Sequence, residues 1–311
     1  MNILMVMDPW GEIKPHKDTS LALLEAAHRR DHTLAISILG DLHVRDGVPM
    51  GYVTRLERDV SAFAGFSLHP NSPAQRLADF DLILMRKDPP FDMNYIYATY
   101  VLELAESLGT RVVNRPRSLR DCNEKFFISQ FPQCCVPTLI SSQSEALMQF
   151  HKEHQDVIFK PLDGMGGKGI FRIRSDGLNL GSIVETLTLQ GATPIMAQRF
   201  IPEIRDGDKR ILMLAGKPVP YCLARIPDKD PTRGNLAAGG KGKVQPLSER
   251  DYWICEQLGP TLKERGLDFV GLDVIGSWLT EINVTSPTCL REIEAETRLN
   301  IADQFIAYLE A

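Results

Sequence analysis

Two patches of this sequence combine residue types that do chemistry. The first runs from Phe159 to Gly169: Lys160, then Gly164, Gly166, Gly167 and Gly169, with Lys168 among them. Gly164, Gly166 and Gly169 satisfy G-x-G-x-x-G. A dinucleotide site would need a helix after the last glycine, so that its N-terminus meets the pyrophosphate. Here Ile170–Arg174 alternates as a strand, which excludes that reading. A Walker phosphate loop fails because Ile170 stands where its lysine is required. A kinase-type glycine hairpin lacks the H-R-D and D-F-G elements that go with it. What is left is a flexible turn whose exposed N–H groups close over phosphates, or a glycine-rich surface hairpin. Four glycines in six residues are entropically costly for a plain turn, which favours phosphate contact.

The second patch is Gly271–Ile275 with Leu279–Pro287. Strand side chains alternate, so Glu281 and Asn283 share one face while Ile282 and Val284 enter a core. An odd-length connection, Gly276-Ser277-Trp278, is expected to set Asp273 beside Glu281. A two-residue turn would put them on opposite faces. Two carboxylates and an amide oxygen form an oxygen-only set suited to Mg²⁺; the alternative is the polar face of a solvated hairpin.

Elements that position these patches follow from periodicity. Ile3–Met7, Leu34–Leu39, Leu82–Met85 and Arg111–Val113 read as strands. Leu21–His28 reads as a helix with cap candidates Asp18, Thr19 and Ser20, and Tyr95–Leu108 as a helix closed by Gly109. This βαβ rhythm predicts a parallel sheet; 51–73 is irregular. After about residue 120, strands come in adjacent pairs: Val157–Lys160 with Ile170–Arg174, Ile211–Ala215 with Pro218–Ala224, and Phe269–Ile275 with Leu279–Val284. These predict antiparallel meanders. Ile226–Lys241, with two prolines and three glycines, reads as a long functional loop.

The 311 residues hold 35 Lys+Arg and 40 Asp+Glu, a formal net charge of −5. A mildly acidic chain lacks the electrostatic footprint of a nucleic-acid binder, and no run approaches the ~18 apolar residues of a membrane span. The six cysteines form no CxxC pair or metal-type spacing, so reduced thiols in the cytoplasm are expected.

In order and spacing these elements resemble the bacterial glutathione synthetases, within the ATP-grasp carboxylate–amine ligases. The match is carried by Arg86-Lys87-Asp88-Pro89-Pro90-Phe91-Asp92, Ser118–Lys125, Lys160–Gly167, Asp206-Gly207-Asp208-Lys209-Arg210, Thr232–Gly240 and Thr280–Thr288. The resemblance implies an α/β plus α+β chain. Residues 1–120 would form a parallel-sheet substrate domain. Residues 121–311 would form an ATP-grasp fold, with a central subdomain at about 125–200 and a catalytic part at about 201–311. It also implies ATP-dependent joining of γ-L-glutamyl-L-cysteine to glycine through an acyl phosphate, giving glutathione, ADP and phosphate, in a cytoplasmic homotetramer that binds neither nucleic acid nor membrane.

By the same resemblance, Lys125 and Lys160 bind the ATP phosphates, with Lys125 in a helical stretch after Asn123. Gly164, Gly166 and Gly167 form a flap, and Gln198, Phe200 and Ile201 lie in the connection whose backbone reads adenine. Asp208 contacts ribose. Asp273, Glu281 and Asn283 hold two Mg²⁺ ions, which Mn²⁺ can replace. Arg210 and Arg225 lie near the transferred phosphoryl group and the substrate carboxylates, and Arg233 brings charge into the closed site. Lys17, Asp18, Ser20, Arg86, Asn283, Ser286, Pro287 and Thr288 form the dipeptide pocket, and Gly239 and Gly240 hinge the lid 226–241. The competing readings are another ATP-grasp ligase, of the D-alanine–D-alanine type, and a nucleotide-binding regulator without turnover.

Overall fold

A computed structural model describes residues 1–70, 73–164, 167–227 and 241–311. The first stretch contains β1 (Asn2–Val6), α1 (Thr19–Arg29), β2 (Thr33–Ser37), β3 (Leu42–Arg45), β4 (Val48–Gly51), β5 (Thr54–Arg58), β6 (Phe66–Pro70), β7 (Gln75–Arg76), β8 (Leu82–Met85), α2 (Met93–Ser107), β9 (Arg111–Val113) and α3 (Pro116–Asp121). Six of these strands form one sheet in the order β6-β5-β2-β1-β8-β9. β1 is parallel to β2 and β8, and β8 to β9, as the alternation of strand and helix predicts. The irregular region resolves into β5 and β6, which add antiparallel to the edge of β2.

The middle stretch holds β10 (Thr138–Ser141), α4 (Ser144–His154), β11 (Val157–Pro161), β12 (Phe171–Ile173), α5 (Leu180–Leu187) and β13 (Ile195–Arg199). The strands form a four-stranded antiparallel sheet, β10-β13-β11-β12. Its helix-covered face buries Leu147, Phe159, Val184 and Ile195 in a separate small core.

The last stretch holds β14 (Asp208–Leu214), β15 (Lys217–Ile226), β16 (Lys241–Pro246), α6 (Glu249–Glu264), β17 (Phe269–Ile275), β18 (Trp278–Asn283), α7 (Leu290–Thr297) and α8 (Ile301–Glu310). The sheet order is β16-β15-β14-β17-β18, all antiparallel. One boundary departs from expectation. α8 touches this sheet through Phe305 against Phe269 but packs chiefly on α1. Ile301 and Phe305 share a core with Ile3, Met5 and Leu23, and Arg30 holds Asp303 and Glu310 across the seam. The apolar stripe of α8 is buried where a face of the N-terminal layer remained to be covered.

Asn114 fastens the two sheets. Its Nδ2 donates to Phe269 O at 2.8 Å and Val284 O at 2.7 Å, and its Oδ1 accepts from Phe269 N at 2.9 Å. The side chain is 3% exposed. This fixes the carboxyl end of β9 against the start of β17 and the segment that leaves β18.

Candidate active site

The site is assembled by strand register. Asp208 lies opposite Arg225, Arg210 opposite Asp273, Asp273 opposite Glu281, and Gly271 opposite Asn283. Alternation therefore puts Asp208, Arg210, Asp273, Glu281 and Asn283 on one face. The connection between β17 and β18 corrects the expectation from sequence. It is a two-residue turn, since Ile275 pairs with Trp278, which alone would separate Asp273 from Glu281. A register shift between Asp273 and Val274 restores them to one face. The extra residue is Thr280, whose Oγ1 donates to Asp273 O at 3.0 Å and ties the bulge down. A bulge inserts one residue and so reverses the parity. Gly271 is required for a close approach: a Cβ there would lie 2.9 Å from Arg210 Cδ and 3.0 Å from Pro287 Cβ.

Charges in this row are buried and paired. Arg210 Nε donates to Asp273 Oδ1 at 2.6 Å, and Arg225 Nη2 lies 2.9 Å from Asp273 Oδ2. Burial pushes the Asp273 carboxyl up, but Arg210 and Arg225 outweigh it and hold it well below the usual carboxylate range. Asp208, expected at a ribose, pairs with Arg225 through its Oδ2 and its main-chain carbonyl, while its Oδ1 has no partner among the described residues. Burial pushes its carboxyl up to about 7, Arg225 pulls it down, and the nearby Asp273 and Glu281 push it up.

Lys125 and Lys160 converge on Glu281, at 3.8 and 3.7 Å. Both are buried, at 4% and 5% exposure. Lys125 does not sit in a helix. It occupies a turn before the 3-10 segment Phe126–Gln130, with Asn123 Oδ1 accepting from Lys125 N and Phe126 N. A short 3-10 segment, held by the Asn123 side chain, competes here with a full helix. Its Nζ donates to Gly164 O at 3.0 Å, which joins it to the glycine turn. Gly164 has φ +100°, open to glycine and strained for other residues. Burial pushes the Lys160 ammonium down, with Glu281 opposing; for Lys125, Glu281 and Glu124 outweigh burial and raise it. Glu124 was not singled out from sequence. It pairs with Lys125, and its carbonyl accepts from Ile282 N at 2.8 Å, pinning the turn to β18.

Gln198 and Arg199 end β13, and Phe200 and Ile201 leave it. The N–H groups of Arg199 and Phe200 donate to Pro137 O and Asp156 O, and Gln198 is paired within the ladder. Backbone reading of a base is thus restricted to the Ile201 N–H and free carbonyls. The Gln198 side chain donates to Thr138 Oγ1, and the Phe200 ring lies 3.4 Å beneath the Arg172 guanidinium.

A cleft of about 450 Å³ connects this cluster to the carboxyl edge of the N-terminal sheet. Lys17, Asp18, Ser20 and Arg86 line one end, Ser286, Pro287 and Thr288 the flank, and Arg210, Arg225, Asp273, Glu281 and Asn283 the other end. Asp18 also caps α1, accepting from Leu21 N at 2.7 Å. Arg86 is 5% exposed, and its Nη2 donates to Pro287 O at 2.8 Å and its Nε to Ser20 Oγ at 3.3 Å. Burial pushes its guanidinium down to about 10, with Asp18 opposing. Among the described residues, three cleft-lining side chains carry buried polar atoms without a partner: Arg86 Nη1, Thr19 Oγ1 and Glu292 Oε2. Thr19 was read only as a cap candidate, and Glu292 gave no signal, because a lone glutamate in a helix is ordinarily a surface residue. Gly166, Arg233, Gly239, Gly240 and nearly all of the expected lid lie outside the described residues. Gly167 lies within them, at φ +75°.

No group of three His, Cys, Asp or Glu that could hold a metal occurs among the described residues. A set of two carboxylates and an amide remains. Asn283 Nδ2 donates to Gly271 O at 3.3 Å, which leaves its Oδ1 available beside Glu281. Oxygen donors of this kind fit a hard divalent cation.

The chain is similar to known proteins over nearly its whole length. The model of the prokaryotic glutathione synthetase N-terminal domain matches residues 1–120, and that of its ATP-grasp domain matches residues 124–298. Glutathione synthetase of Pseudomonas aeruginosa is 56% identical over 307 residues, covering 99% of this chain and 96% of its own. That of Escherichia coli K12 is 52% identical over 309 residues, covering 99% and 97%. Among solved structures, D-cycloserine synthetase DcsG superposes with a TM-score of 0.69 at 15% identity, covering 99% of this chain and 100% of its own. ATP-grasp ligase PsnB, complexed with minimal precursor, Mg and ADP, gives 0.64 at 16%, covering 99% and 98%. These two share the fold.

Proposed function

We infer residue roles from one premise: the chain belongs to the prokaryotic glutathione synthetase family and is an ATP-dependent ligase. It joins γ-L-glutamyl-L-cysteine to glycine. The observation that carries the assignment of roles is the single cleft running from Arg86 and Ser20 to the Arg210–Asp273–Arg225 cluster.

The dipeptide lies along this cleft. Its γ-glutamyl head is a zwitterion. Arg86 Nη1 and Thr19 Oγ1 receive the carboxylate, and Glu292 Oε2 receives the ammonium; their lack of protein partners supports this. The cysteinyl carboxylate then reaches the opposite end, beside Arg210 and Arg225. There its oxygen attacks the γ-phosphorus of ATP and ADP leaves. Glycine's amine attacks the acyl carbon of the resulting acyl phosphate, loses a proton, and phosphate departs with the former carboxylate oxygen. Lys125 and Lys160 neutralise the ATP phosphates under the glycine turn, and buried guanidinium forks hold the planar anions in line. Asp273, Glu281 and Asn283 would hold Mg²⁺, two ions in the full site or Mn²⁺ in their place, whose charge offsets that of the phosphates. The lid 226–241, with Arg233 and the Gly239–Gly240 hinge, would exclude water from the acyl phosphate. The division into 1–120, 121–200 and 201–311 follows the family, with α8 returning to the first unit. We also propose a cytoplasmic homotetramer; six free, buried cysteines support a reducing compartment.

Dipeptide labelled with ¹⁸O in its cysteinyl carboxylate tests the chemistry. One labelled oxygen is expected in the phosphate released. Unlabelled phosphate would exclude the acyl phosphate.

A further inference from the structure

We propose that Arg172 is a positioning residue for the nucleotide base, holding the exit of β13 so that one carbonyl and one N–H face the purine edge. The inference rests on the reading of Gln198–Ile201 as the base-binding connection. On the face of the central sheet away from its helices, register sets Thr138, Gln198, Ile158 and Arg172 in one row across four strands. Lys160 points to the same face two residues further along β11, about 7 Å away. A nucleotide whose phosphates meet Lys160 therefore lays its base over that row, with Arg172 at the outer end.

Arg172 closes a ring of three contacts there. Its Nε and Nη2 donate to the two carboxylate oxygens of Asp156 at 2.9 and 2.6 Å. Its guanidinium carbon lies 3.4 Å from the centre of the Phe200 ring. The Asp156 carbonyl in turn accepts from Phe200 N at 2.8 Å. A fork held at both oxygens keeps its plane, and a planar cation packs on an aromatic face. One residue pair thus grips Phe200 through its side chain and its main chain. Arg199 C=O belongs to the same trans peptide as Phe200 N–H, so fixing the N–H toward Asp156 turns the carbonyl to the opposite edge. Pro137 faces it there. Arg199 N donates to Pro137 O at 3.1 Å, but proline has no N–H to return. The ladder therefore supplies Arg199 O with no donor, and Ile201 N–H, on the same edge, has no partner among the described residues. An acceptor followed by a donor matches adenine, which presents an exocyclic amine beside a bare ring nitrogen. Guanine presents a carbonyl and a ring N–H at those places and meets both with the wrong polarity. β12, which carries Arg172, is also the strand that leaves the glycine turn. Arg172 thereby ties the base-reading edge to the phosphate turn.

Calorimetric titration of the full-length chain with Mg²⁺ and ADP, GDP or inorganic triphosphate tests it, with thermal unfolding reporting that each variant is folded. Arg172→Met is expected to weaken ADP about 10- to 30-fold, the worth of a charge-assisted fork and a cation–π contact. The same variant should leave inorganic triphosphate within about twofold and narrow the preference for ADP over GDP about tenfold. Arg172→Lys, which keeps the charge without the fork, should lose nearly as much, whereas Phe200→Tyr, which keeps the ring, should bind as wild type does. Phe200→Leu should match Arg172→Met, and the double variant should lose no more than either, because the two act through one contact. A residue that only supported the sheet would lose ADP and triphosphate alike. Unchanged ADP binding by Arg172→Met, or equal losses of ADP and triphosphate, would overturn the proposal while a wild type that prefers ADP to triphosphate upholds the base-binding reading. A wild type that binds ADP no more tightly than triphosphate would overturn that reading, and the proposal with it.

Discussion

Replacing Asn114 with alanine removes the fastener between the two sheets, and its cost can be worked from the three hydrogen bonds described above. Asn114 donates twice and accepts once, and every partner is a main-chain group of Phe269 or Val284. A buried hydrogen bond contributes about 1 kcal/mol net, and leaving a buried partner unsatisfied raises the loss to about 1–3 kcal/mol each. Phe269 N–H is the most exposed to this cost, because a donor without an acceptor has no second lone pair to fall back on. The expected destabilisation is about 3–5 kcal/mol, well above the typical point mutation. At roughly 1.5 °C per kcal/mol for a chain of this size, thermal unfolding should move down by about 5–8 °C. The Asn114→Asp variant keeps an acceptor for Phe269 N–H but sets a carboxylate oxygen against two carbonyls, so it should be at least as damaging. Differential scanning calorimetry, together with the KM for dipeptide, is the assay. The same contact holds Thr285–Thr288 next to Arg86, so KM should rise in the surviving enzyme. A loss below about 1 kcal/mol would refute the view that Asn114 carries the junction.

Other outcomes follow from the site. Glu292→Gln should raise the dipeptide KM about 10- to 100-fold with kcat little changed, the worth of one charge-assisted hydrogen bond. The same variant should show almost no further loss with a substrate lacking the α-amine, and equal losses for both substrates would remove Glu292 from ammonium recognition. Burial raises the cysteine thiols, Cys122 and Cys222 to about 11 and Cys135 and Cys255 to about 12. A raised pKa means less thiolate at a given pH, at least about 200-fold less at pH 8 than a free thiol. Native protein at pH 8 should therefore take up no iodoacetamide by mass, the rate should climb about tenfold per pH unit, and denatured protein should take up six; rapid native labelling would contradict it. Lys160→Met should lower kcat at least about 100-fold while leaving the thermal transition within a few degrees, because the ammonium is already penalised by burial. An unchanged kcat would place Lys160 away from the phosphates.

Strand pairing was legible because hydrophobic alternation and Gly-containing turns are local. Val157–Pro161 with Phe171–Ile173 came through nearly to the residue, whereas β14 begins at Asp208, three residues before the expected Ile211, and β15 runs two residues past the expected Ala224. The residues of the cleft were legible through spacing and family resemblance. What escaped was whatever depends on register or on distant packing. The bulge at Thr280 leaves no mark in composition, yet it decides whether Asp273 and Glu281 share a face. The Asp208–Arg225 pair exists only because β14 and β15 align those two positions, and no spacing in the sequence announces it. The return of α8 to α1 joins residues some 280 apart in sequence, Arg30 and Glu310, and no local pattern reports it. Asn114 follows the last strand of the first sheet and reads as an ordinary loop amide until Phe269 and Val284 are brought to it.

The most direct measurement is ADP formation with Mg²⁺-ATP, γ-glutamylcysteine and glycine, omitting each acceptor in turn and identifying the peptide by mass. Rapid ADP formation that requires both dipeptide and glycine, with glutathione as the product, is expected. Turnover with a different carboxylate–amine pair and none with this dipeptide, or nucleotide binding without turnover, would contradict the assignment.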